Sequence, residues 1–479
     1  MPGGALMQLV AFGAQDAYLT GQPKVTFFHS VYKRHTNFAM ETSQQTVQGG
    51  GSLQSVTLAR SGDLVGDMYV VLTPTPGSSA ALTSTNSVND MCWVAERAFS
   101  TVELFIGGQS IDKHYQLWFR LYSEVFMNET KKVNYGKLTS LPIPNNVGQT
   151  STGYVYLPLL FFFNRNPGMY LPLIALQYHE VRIDFTLTNY YSSYFGTNPI
   201  AVWANYIYLD TAERDRYAKG PQEYLIEQVQ HVAGDPVPGT NENAPTLVRL
   251  QYNHPVKELI WCYQDPSPLV NKNSLWNFSS GVSNVNVTVD TQVMGQAGLL
   301  TNPNWIGTPL LYTPSMMMVP ITFTSNIGFV SVSNVVPGNA TFQSNVSTTN
   351  INNTWLEEGL PIRTANTTYG VEVGPLHQFK LLLNGTDRFV PQFGKYFNQY
   401  QPYQYHSGSP YPGVYMYSFG LKPEDLQPSG TCNFSRIDMA QAAVYLKTGM
   451  PGNLLQKMFA VNYNVLKIAS GMGGLVFSN

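Results

Sequence analysis

The chain has 479 residues, a formal net charge of −2 and a charged fraction of 12%, whereas an ordinary soluble domain carries about 25%. This near-neutral balance excludes attraction to nucleic acid or to an anionic membrane through a strong positive field. The three cysteines, Cys92, Cys262 and Cys432, lie far apart and are odd in number, so the sequence predicts neither a disulfide framework nor a zinc site.

The composition favours β-structure. Aromatic residues make up 13% of the chain, and there are 40 Gly and 31 Pro. Aromatic side chains suit pleated strands, and Gly and Pro suit the turns that separate them. The length allows two or three domains. We therefore expect an all-β protein with more than one domain.

The amino terminus, MPGGALMQLV, lacks the basic start and continuous apolar core of a secretory signal. The most apolar region, 157–176, is interrupted by Pro, Asn and Arg residues, so it does not predict a membrane span. Together with the isolated cysteines, these features predict folding in the reducing cytoplasm.

Strands with a period of two recur from residue 55 onward. Apolar and polar side chains alternate in 56–59, 68–73, 181–188 and 285–290. The clearest case is 181–188, in which Val, Ile, Phe and Leu interleave with Arg, Asp and Thr. Each of these segments predicts a half-buried strand.

Two tight turns follow apolar runs. Gly107-Gly108 comes after 102–106, and Asn384-Gly385 comes after 379–383. Glycine and asparagine tolerate the positive φ that two-residue hairpins require, so both sites predict β-hairpins.

The best domain boundary lies near residues 210–225. The run from Asp210 to Arg216 is the densest in charge, and Asp210 with Glu213 resembles a capping arrangement for a short helix. Gly220-Pro221 then interrupts it. We interpret this segment as a connector between two β domains of similar size. The alternative is a helix inside one larger domain.

A weak internal repeat favours duplication. Asp112-Lys113 follows the first glycine turn, and Asp387-Arg388 follows the second. Later in each half comes the tripeptide Arg-Ile-Asp, at 182–184 and at 436–438, which we predict to lie in a strand in both halves.

The stretch 266–375 is poor in charge and rich in Asn, Ser, Thr, Gly and Pro, so it predicts long surface loops with embedded strands. Nine N-x-[ST] sequons occur in the chain, six of them in this region. Those six are candidate glycosylation sites: Asn277, Asn286, Asn339, Asn345, Asn352 and Asn366. The other three are Asn128, Asn384 and Asn433.

Catalytic motifs are not found in the sequence: no phosphate-binding loop, dinucleotide fingerprint, zinc-protease helix or nucleophile elbow occurs. The eight His residues are scattered. A carboxylate pair could come from separate strands, but surface ion pairs explain the four candidates more simply: Glu103, Asp112, Asp184 and Asp438. We expect no catalytic, cofactor or metal site.

The aromatic stretch 396–406 contains five Tyr or Phe residues and few neighbouring cations. Base stacking would need more positive charge. Packing between subunits or domains is the favoured use.

Ten blocks of the sequence are distinctive: FGAQDAYLTG (12–21), VTFF (25–28), YKRHTNFAME (32–41), IGGQSIDKH (106–114), LPLIALQYHEV (171–181), EYLIEQ (223–228), NHPVKELIW (253–261), QPSGTCNFSRID (427–438), AVNYNVL (460–466) and SGMGGL (470–475). In these blocks the chain closely resembles the major capsid proteins of nucleocytoplasmic large DNA viruses. The blocks span nearly the whole chain, but the resemblance fades between about 266 and 375.

The resemblance implies two tandem eight-stranded jelly rolls, with short connecting helices and long loops in the second domain. The expected organisation is an inner-face segment at 1–25, a first jelly roll at 26–212, a linker at 213–225 and a second jelly roll at 226–479. The inner-face assembly residues are those of the first block: Phe12, Gln15, Asp16, Tyr18 and Leu19.

In function, the resemblance implies a structural protein that forms homotrimers with a pseudo-sixfold outline and tiles an icosahedral shell. Implied partners are neighbouring copies, minor capsid and penton proteins and an inner viral membrane. The implied location is the virion capsid, assembled in the host cytoplasm. The alternative is a carbohydrate-binding or carbohydrate-active jelly roll. Residues 1–40 carry only Lys24, Lys33 and Arg34 as cations, so we expect no direct contact with nucleic acid.

Overall fold

The computed structural model describes residues 3–75, 93–141, 153–231, 234–238, 242–264, 285–287, 321–322, 349–351, 374–410, 413–448, 450 and 454–477. The chain divides into two units, Met1–Phe38 and Ala39–Asn479. The first unit contains two short helices, α1 (Gly3–Val10) and α2 (Ala17–Thr20), neither of which buries a residue.

The described residues between 38 and 219 form ten strands and six α-helices. The strands are β1 (Phe38–Gln45), β2 (Val47–Gly50), β3 (Leu53–Thr57), β4 (Leu64–Leu72), β5 (Phe99–Ile106), β6 (Gln109–Tyr115), β7 (Val155–Pro158), β8 (Leu171–Pro172), β9 (Val181–Leu187) and β10 (Ala201–Leu209). The helices are α3 (Val94–Ala98), α4 (Gln116–Phe126), α5 (Glu129–Thr139), α6 (Phe162–Arg165), α7 (Asn189–Phe195) and α8 (Thr211–Lys219).

Fifteen strands and one further α-helix follow in the described part of the chain. The strands are β11 (Gln222–His231), β12 (Asp235–Val237), β13 (Thr246–Leu250), β14 (Pro255–Gln264), β15 (Val285–Val287), β16 (Ile321–Thr322), β17 (Thr349–Ile351), β18 (Leu376–Leu383), β19 (Thr386–Asp387), β20 (Gln392–Phe393), β21 (Val414–Ser418), β22 (Cys432–Asn433), β23 (Ala440–Leu446), β24 (Leu454–Ala469) and β25 (Met472–Leu475). A π-helical turn, Tyr396–Tyr400, precedes α9 (Gln401–Tyr405).

The two halves share one strand order. In the first, one sheet is β1-β10-β4-β7 and the other is β2-β3-β9-β5-β6. In the second, the sheets are β11-β24-β14-β21 and β13-β23-β18-β19. Each half has eight main strands, which we number 1 to 8 along the chain. They are β1, β3, β4, β5, β6, β7, β9 and β10 in the first half and β11, β13, β14, β18, β19, β21, β23 and β24 in the second. In both halves one sheet then has the order 1-8-3-6 and the other the order 2-7-4-5. This is the antiparallel order of a jelly roll, so the predicted all-β double jelly roll is confirmed.

The two predicted hairpins occupy equivalent places. Gly107-Gly108 joins β5 to β6 with φ values of 58° and 83°, and Asn384-Gly385 joins β18 to β19 with 51° and 78°. Both connect the fourth and fifth strands of their roll. Their left-handed backbone explains why glycine or asparagine stands at these positions.

The Arg-Ile-Asp prediction is right in one half and wrong in the other. Residues 182–184 lie inside β9. Residues 436–438 lie outside a strand, because a 3-10 turn (Phe434–Arg436) intervenes before β23 begins at Ala440. The tripeptides therefore lie at or just before the seventh strand of each roll.

The predicted helix near residue 210 is α8. Asp210 is its N-cap residue, but its side chain makes no capping hydrogen bond, so that detail of the prediction is wrong. The proposed linker 213–225 covers most of α8 and the start of β11. Residues 288–290 of the predicted strand 285–290 lie outside the described residues, and β15 covers the rest.

The region 266–375 lies largely outside the described residues. Its described part contributes one three-stranded sheet, in the order β15-β17-β16.

Three strands of one sheet of the second roll, β14, β21 and β24, contribute side chains to apolar cores on both faces. Along β14, Ile260 and Cys262 belong to the apolar core that contains the first roll, whereas Leu259, Trp261 and Tyr263 belong to the core of the second roll. Strands β21 and β24 alternate in the same way. A strand covered on both faces needs an almost continuous apolar sequence. The two rolls are therefore packed together through this sheet.

Candidate functional site

The five predicted inner-face residues lie on one exposed segment. Phe12 is 63% exposed, Tyr18 92% and Leu19 86%. Asp16 accepts a hydrogen bond from the backbone N–H of Gly13 at 2.8 Å. The short turn thus presents apolar side chains to solvent, which is typical of a surface that another molecule covers.

The sequons fall into two groups. Asn286 lies in β15, and the other five candidate glycosylation sites (277, 339, 345, 352 and 366) lie outside the described residues. The three remaining sequon residues, Asn128, Asn384 and Asn433, accept backbone N–H bonds through their side-chain oxygens. Asn128 caps the start of α5 and Asn433 caps a 3-10 turn, whereas Asn384 binds Met439, which lies next to β23.

Of the four carboxylates considered for catalysis, Glu103 and Asp184 lie opposite each other on β5 and β9, and each has its own cation partner. Glu103 pairs with Lys113 at 3.1 Å, and Asp184 pairs with Arg182 at 3.0 Å. Asp438 is exposed. The expected surface ion pair is wrong for Asp112, because its side chain is only 2% exposed and contacts His114 at 2.9 Å.

Asp112 instead joins the two rolls. Its Oδ1 accepts the backbone N–H of Val229 at 3.0 Å, and Gln228 donates to the carbonyl oxygen of Ile111. These bonds run from β6 of the first roll to β11 of the second. They satisfy buried polar groups that would otherwise be costly at an apolar interface.

A chain of charges continues this interface. Arg165 contacts Glu227 at 2.9 Å, and Glu227 contacts Lys257 at 2.6 Å. Burial opposes the ionisation of Glu227, but the two cations outweigh that effect and hold its pKa below the usual range. Arg165 belongs to the first roll and the other two residues to the second, so the ion pairs cross between rolls.

His406 extends the network. Its Nε2 lies 2.8 Å from Glu258 and its Nδ1 lies 3.2 Å from Glu424. Burial disfavours the protonated ring, yet the two carboxylates outweigh burial and raise the pKa of His406. The ring of Phe126, from α4 of the first roll, lies perpendicular to the His406 ring, with 4.9 Å between the two ring centroids.

A second buried cluster lies in the first roll, between α3, α4 and α5. Arg120 pairs with Glu124 and lies 3.7 Å from Glu96, while Lys132 lies 3.4 Å from Glu124. Burial raises the pKa of Glu96 to about 7. Lys132 also donates to the carbonyl oxygen of Ser409 at 2.5 Å, so this cluster too reaches the second roll.

An aromatic groove of about 800 Å³ opens beside the π-helical turn. It is lined by Gln392, Phe393, Lys395, Tyr396, Gln399, Tyr400 and Tyr403. Tyr403 is 83% exposed, and the rings of Tyr396 and Tyr400 stack at 5.4 Å. This groove lies in the aromatic stretch noted in the sequence.

The described residues form neither a metal site nor a membrane-spanning helix. No group of three or more His, Cys, Asp or Glu among them could hold a metal ion. No helix in the same described ranges is long and apolar enough to cross a bilayer.

Sequence reasoning missed the charged interface. Its members come from distant segments, so spacing could not bring them together. One signal was present: Lys257-Glu258 interrupts the apolar run of a strand in a charge-poor chain. Buried charges require partners, so that pair could have predicted an interface.

Two family patterns match the chain. Residues 213–474 match the pattern described as "Large eukaryotic DNA virus major capsid protein", and residues 26–210 match "Major capsid protein N-terminus". The major capsid protein of Paramecium bursaria Chlorella virus 1 is 38% identical, over 99% of this chain and 100% of the relative. That of Phaeocystis pouchetii virus is 35% identical, over 99% and 100%.

Solved structures are similar as well. A crystal structure of PBCV-1 VP54, fitted into a cryo-EM reconstruction of the virophage Sputnik, superposes with a TM-score of 0.69 and 35% identity, covering 95% of this chain and 100% of that one. The Faustovirus major capsid protein has a TM-score of 0.60 at 13% identity, covering 97% and 96%, and supports the fold alone.

Proposed function

The chain belongs to the large eukaryotic DNA virus major capsid protein family, and from this premise we propose that three copies form a capsomer with a pseudo-sixfold outline. The carrying observation is the repeated strand order, 1-8-3-6 and 2-7-4-5, in both halves of one chain. Two similar lobes per chain give six lobes per trimer. Such a trimer can tile an icosahedral lattice beside six neighbours.

The protein is a structural component of a virus shell and not an enzyme. Its similarity to a chain from the PBCV-1 virus capsid, with a TM-score of 0.67 and 34% identity over 95% of this chain and 100% of that one, supports the same role. The relatives support the shell role rather than the carbohydrate-binding or carbohydrate-active alternative. The chemistry of this protein is therefore association between copies.

The domain organisation remains a proposal with residues 1–25 as the inner-face segment, 26–212 and 226–479 as the two rolls, and 213–225 as linker. The two pairs of sheets and the two matched family patterns support it. Loops within 266–375 face outward in this scheme. Assembly takes place in the host cytoplasm.

The amino-terminal segment is the proposed contact with the inner side of the shell, where minor capsid proteins, penton proteins and a membrane are expected. Its exposed apolar side chains, such as Phe12, Tyr18 and Leu19, support this role. Deleting residues 1–25 should leave soluble trimers but lower the yield of closed shells. An unchanged shell yield would refute the role.

The aromatic groove is a proposed contact with a second copy of the chain. Its lining is rich in tyrosine and poor in charge, which matches the buried centre of protein interfaces. Replacing Tyr403 by Ser should weaken association between copies and leave folding unchanged, because the ring is 83% exposed.

The proposal has two further parts: the six sequons in 277–366 carry outward-facing glycans, and the protein makes no direct contact with the genome. Intact-mass measurement of protein from infected cells should show sugar on some of the six sequons in 277–366, and a bare polypeptide mass would contradict this. The purified trimer should not bind duplex DNA at physiological salt, since residues 1–40 hold only three Lys or Arg.

Electron microscopy of the purified assembly tests the central proposal. Class averages should show six lobes around a threefold axis. Particles with a single or double lobe would overturn the trimer.

A further inference from the structure

In each roll a segment links the fifth strand to the sixth, and the junction between these two segments is held at His406. We define the junction as residues 121–132, from the second half of α4 to the start of α5, and residues 403–410, from the end of α9 onward. The ring of Phe126 packs edge-on against His406. Ser407 donates from its Oγ to the carbonyl oxygen of Phe126 at 3.4 Å, and Lys132 reaches Ser409. The side chain of His406 is fully buried between these elements.

The ring of His406 faces two carboxylates, Glu258 at 2.8 Å and Glu424 at 3.2 Å. The network continues through Lys257 and Glu227 to Arg165. Protonated His406 adds a positive charge between the two carboxylates. Further titratable groups on the elements packed around the network are Asp112, Tyr122, Glu124 and Lys132 of the first roll and Tyr463 of β24.

Loss of that proton would leave the imidazole with one N–H for the two carboxylates, Glu258 and Glu424, and would remove the positive charge that faces both. The Glu258 side chain is fully buried, and its other cation, Lys257, lies at 3.6 Å and also serves Glu227. An uncompensated charge in such a site is costly. The segment 406–409 carries both the histidine and the bonds to the first roll. Separation of this segment from the first roll would therefore most directly expose the uncompensated charge to water.

We propose that His406 is a proton-operated latch between the two jelly rolls, closed when its ring is charged and released at alkaline pH. This inference concerns the single chain and stands whether or not copies form trimers.

The direction follows from linkage. The carboxylates raise the pKa of His406 in the closed state above its ordinary value of 6.5. The stabilisation is therefore complete below that ordinary value and is lost as pH rises through the raised pKa. Between the two values the opening equilibrium should grow by about tenfold per pH unit.

Hydrogen exchange of the purified full-length assembly, corrected for the chemical exchange rate, tests the latch between pH 6 and 9. Protection of peptides from 121–132 and 403–410 should fall with rising pH in the wild type. In His406→Gln, which keeps a donor but has no charge, protection should be low already at pH 6 and independent of pH. The control His35→Gln, in the other structural unit, should behave as wild type.

A second variant tests the latch even if His406→Gln does not fold. Glu424→Gln removes one partly exposed carboxylate, 31% exposed, and should move the loss of protection to lower pH. Wild-type protection that does not vary with pH, or a pH dependence preserved in His406→Gln, would overturn the latch. An unshifted transition in Glu424→Gln would also count against it.

Discussion

Replacing Phe459 by Ala should destabilise both jelly rolls at once. Phe459 lies on β24 of the second roll and is 0% exposed. Its ring stacks on His231 at 4.3 Å and lies 5.6 Å from Trp118 and 6.1 Å from Tyr115, both from the first roll. The side chain therefore fills space between the two rolls.

The magnitude follows from its complete burial. Loss of a buried aromatic ring removes about 150–250 Å² of packed surface, worth about 4–6 kcal/mol at most by area. Phenylalanine-to-alanine changes in cores cost about 3–5 kcal/mol. Because rings from both rolls surround the site, collapse around the cavity is restricted, and we expect a cost in this range.

Urea unfolding monitored by tryptophan fluorescence measures the loss, since Trp118 and Trp261 are buried in different cores. Hydrogen exchange should rise around Tyr115–Trp118 as well as in β24. The control Phe393→Ala, at a ring 59% exposed, should change stability by less than about 0.5 kcal/mol. A rise confined to the second roll would refute the idea that this residue joins the two.

Three further predictions concern single sites. Glu96→Gln should flatten the pH dependence of unfolding between pH 5 and 8, because a buried acid with a pKa raised to about 7 favours the folded state at low pH and loses that contribution as pH rises; an unchanged slope in urea unfolding would contradict this. Gly408→Ala should cost about 1–3 kcal/mol in the same assay, since the added carbon would stand 2.6 Å from the carbonyl oxygen of Glu124, whereas Gly50→Ala has open space and should be neutral. Asn384→Ala should cost about 1–2 kcal/mol and Asn384→Gly less, because φ is 51° and both changes lose a side-chain bond to a backbone amide; equal losses would argue against backbone strain.

Local sequence patterns predicted much of the fold. The alternation in 181–188 identified β9, whose Val181, Ile183 and Phe185 are buried, and the two Gly or Asn turns identified equivalent hairpins. These signals are local, because strand pleat and positive φ act on adjacent residues.

Helices α4 and α5 were not predicted. Arg120 and Glu124 are buried inside α4 rather than solvated, so the helix does not show a simple apolar and polar face. The partners that make such burial tolerable come from α3 and α5. Tertiary contacts of this kind have no signature in a sequence window.

The charged interface escaped prediction for the same reason. Arg165, Glu227, Glu258 and His406 are distant along the chain, and only the paired rolls bring them together. The start of the sequence is apolar and nearly uncharged, and the structure leaves its side chains Tyr18 and Leu19 exposed to solvent.

Native mass measurement of the purified, full-length protein tests the association of three two-lobed chains most directly. The account predicts a stable species at three times 53.3 kDa. A monomer that persists at micromolar concentration, or a dimer, would contradict it.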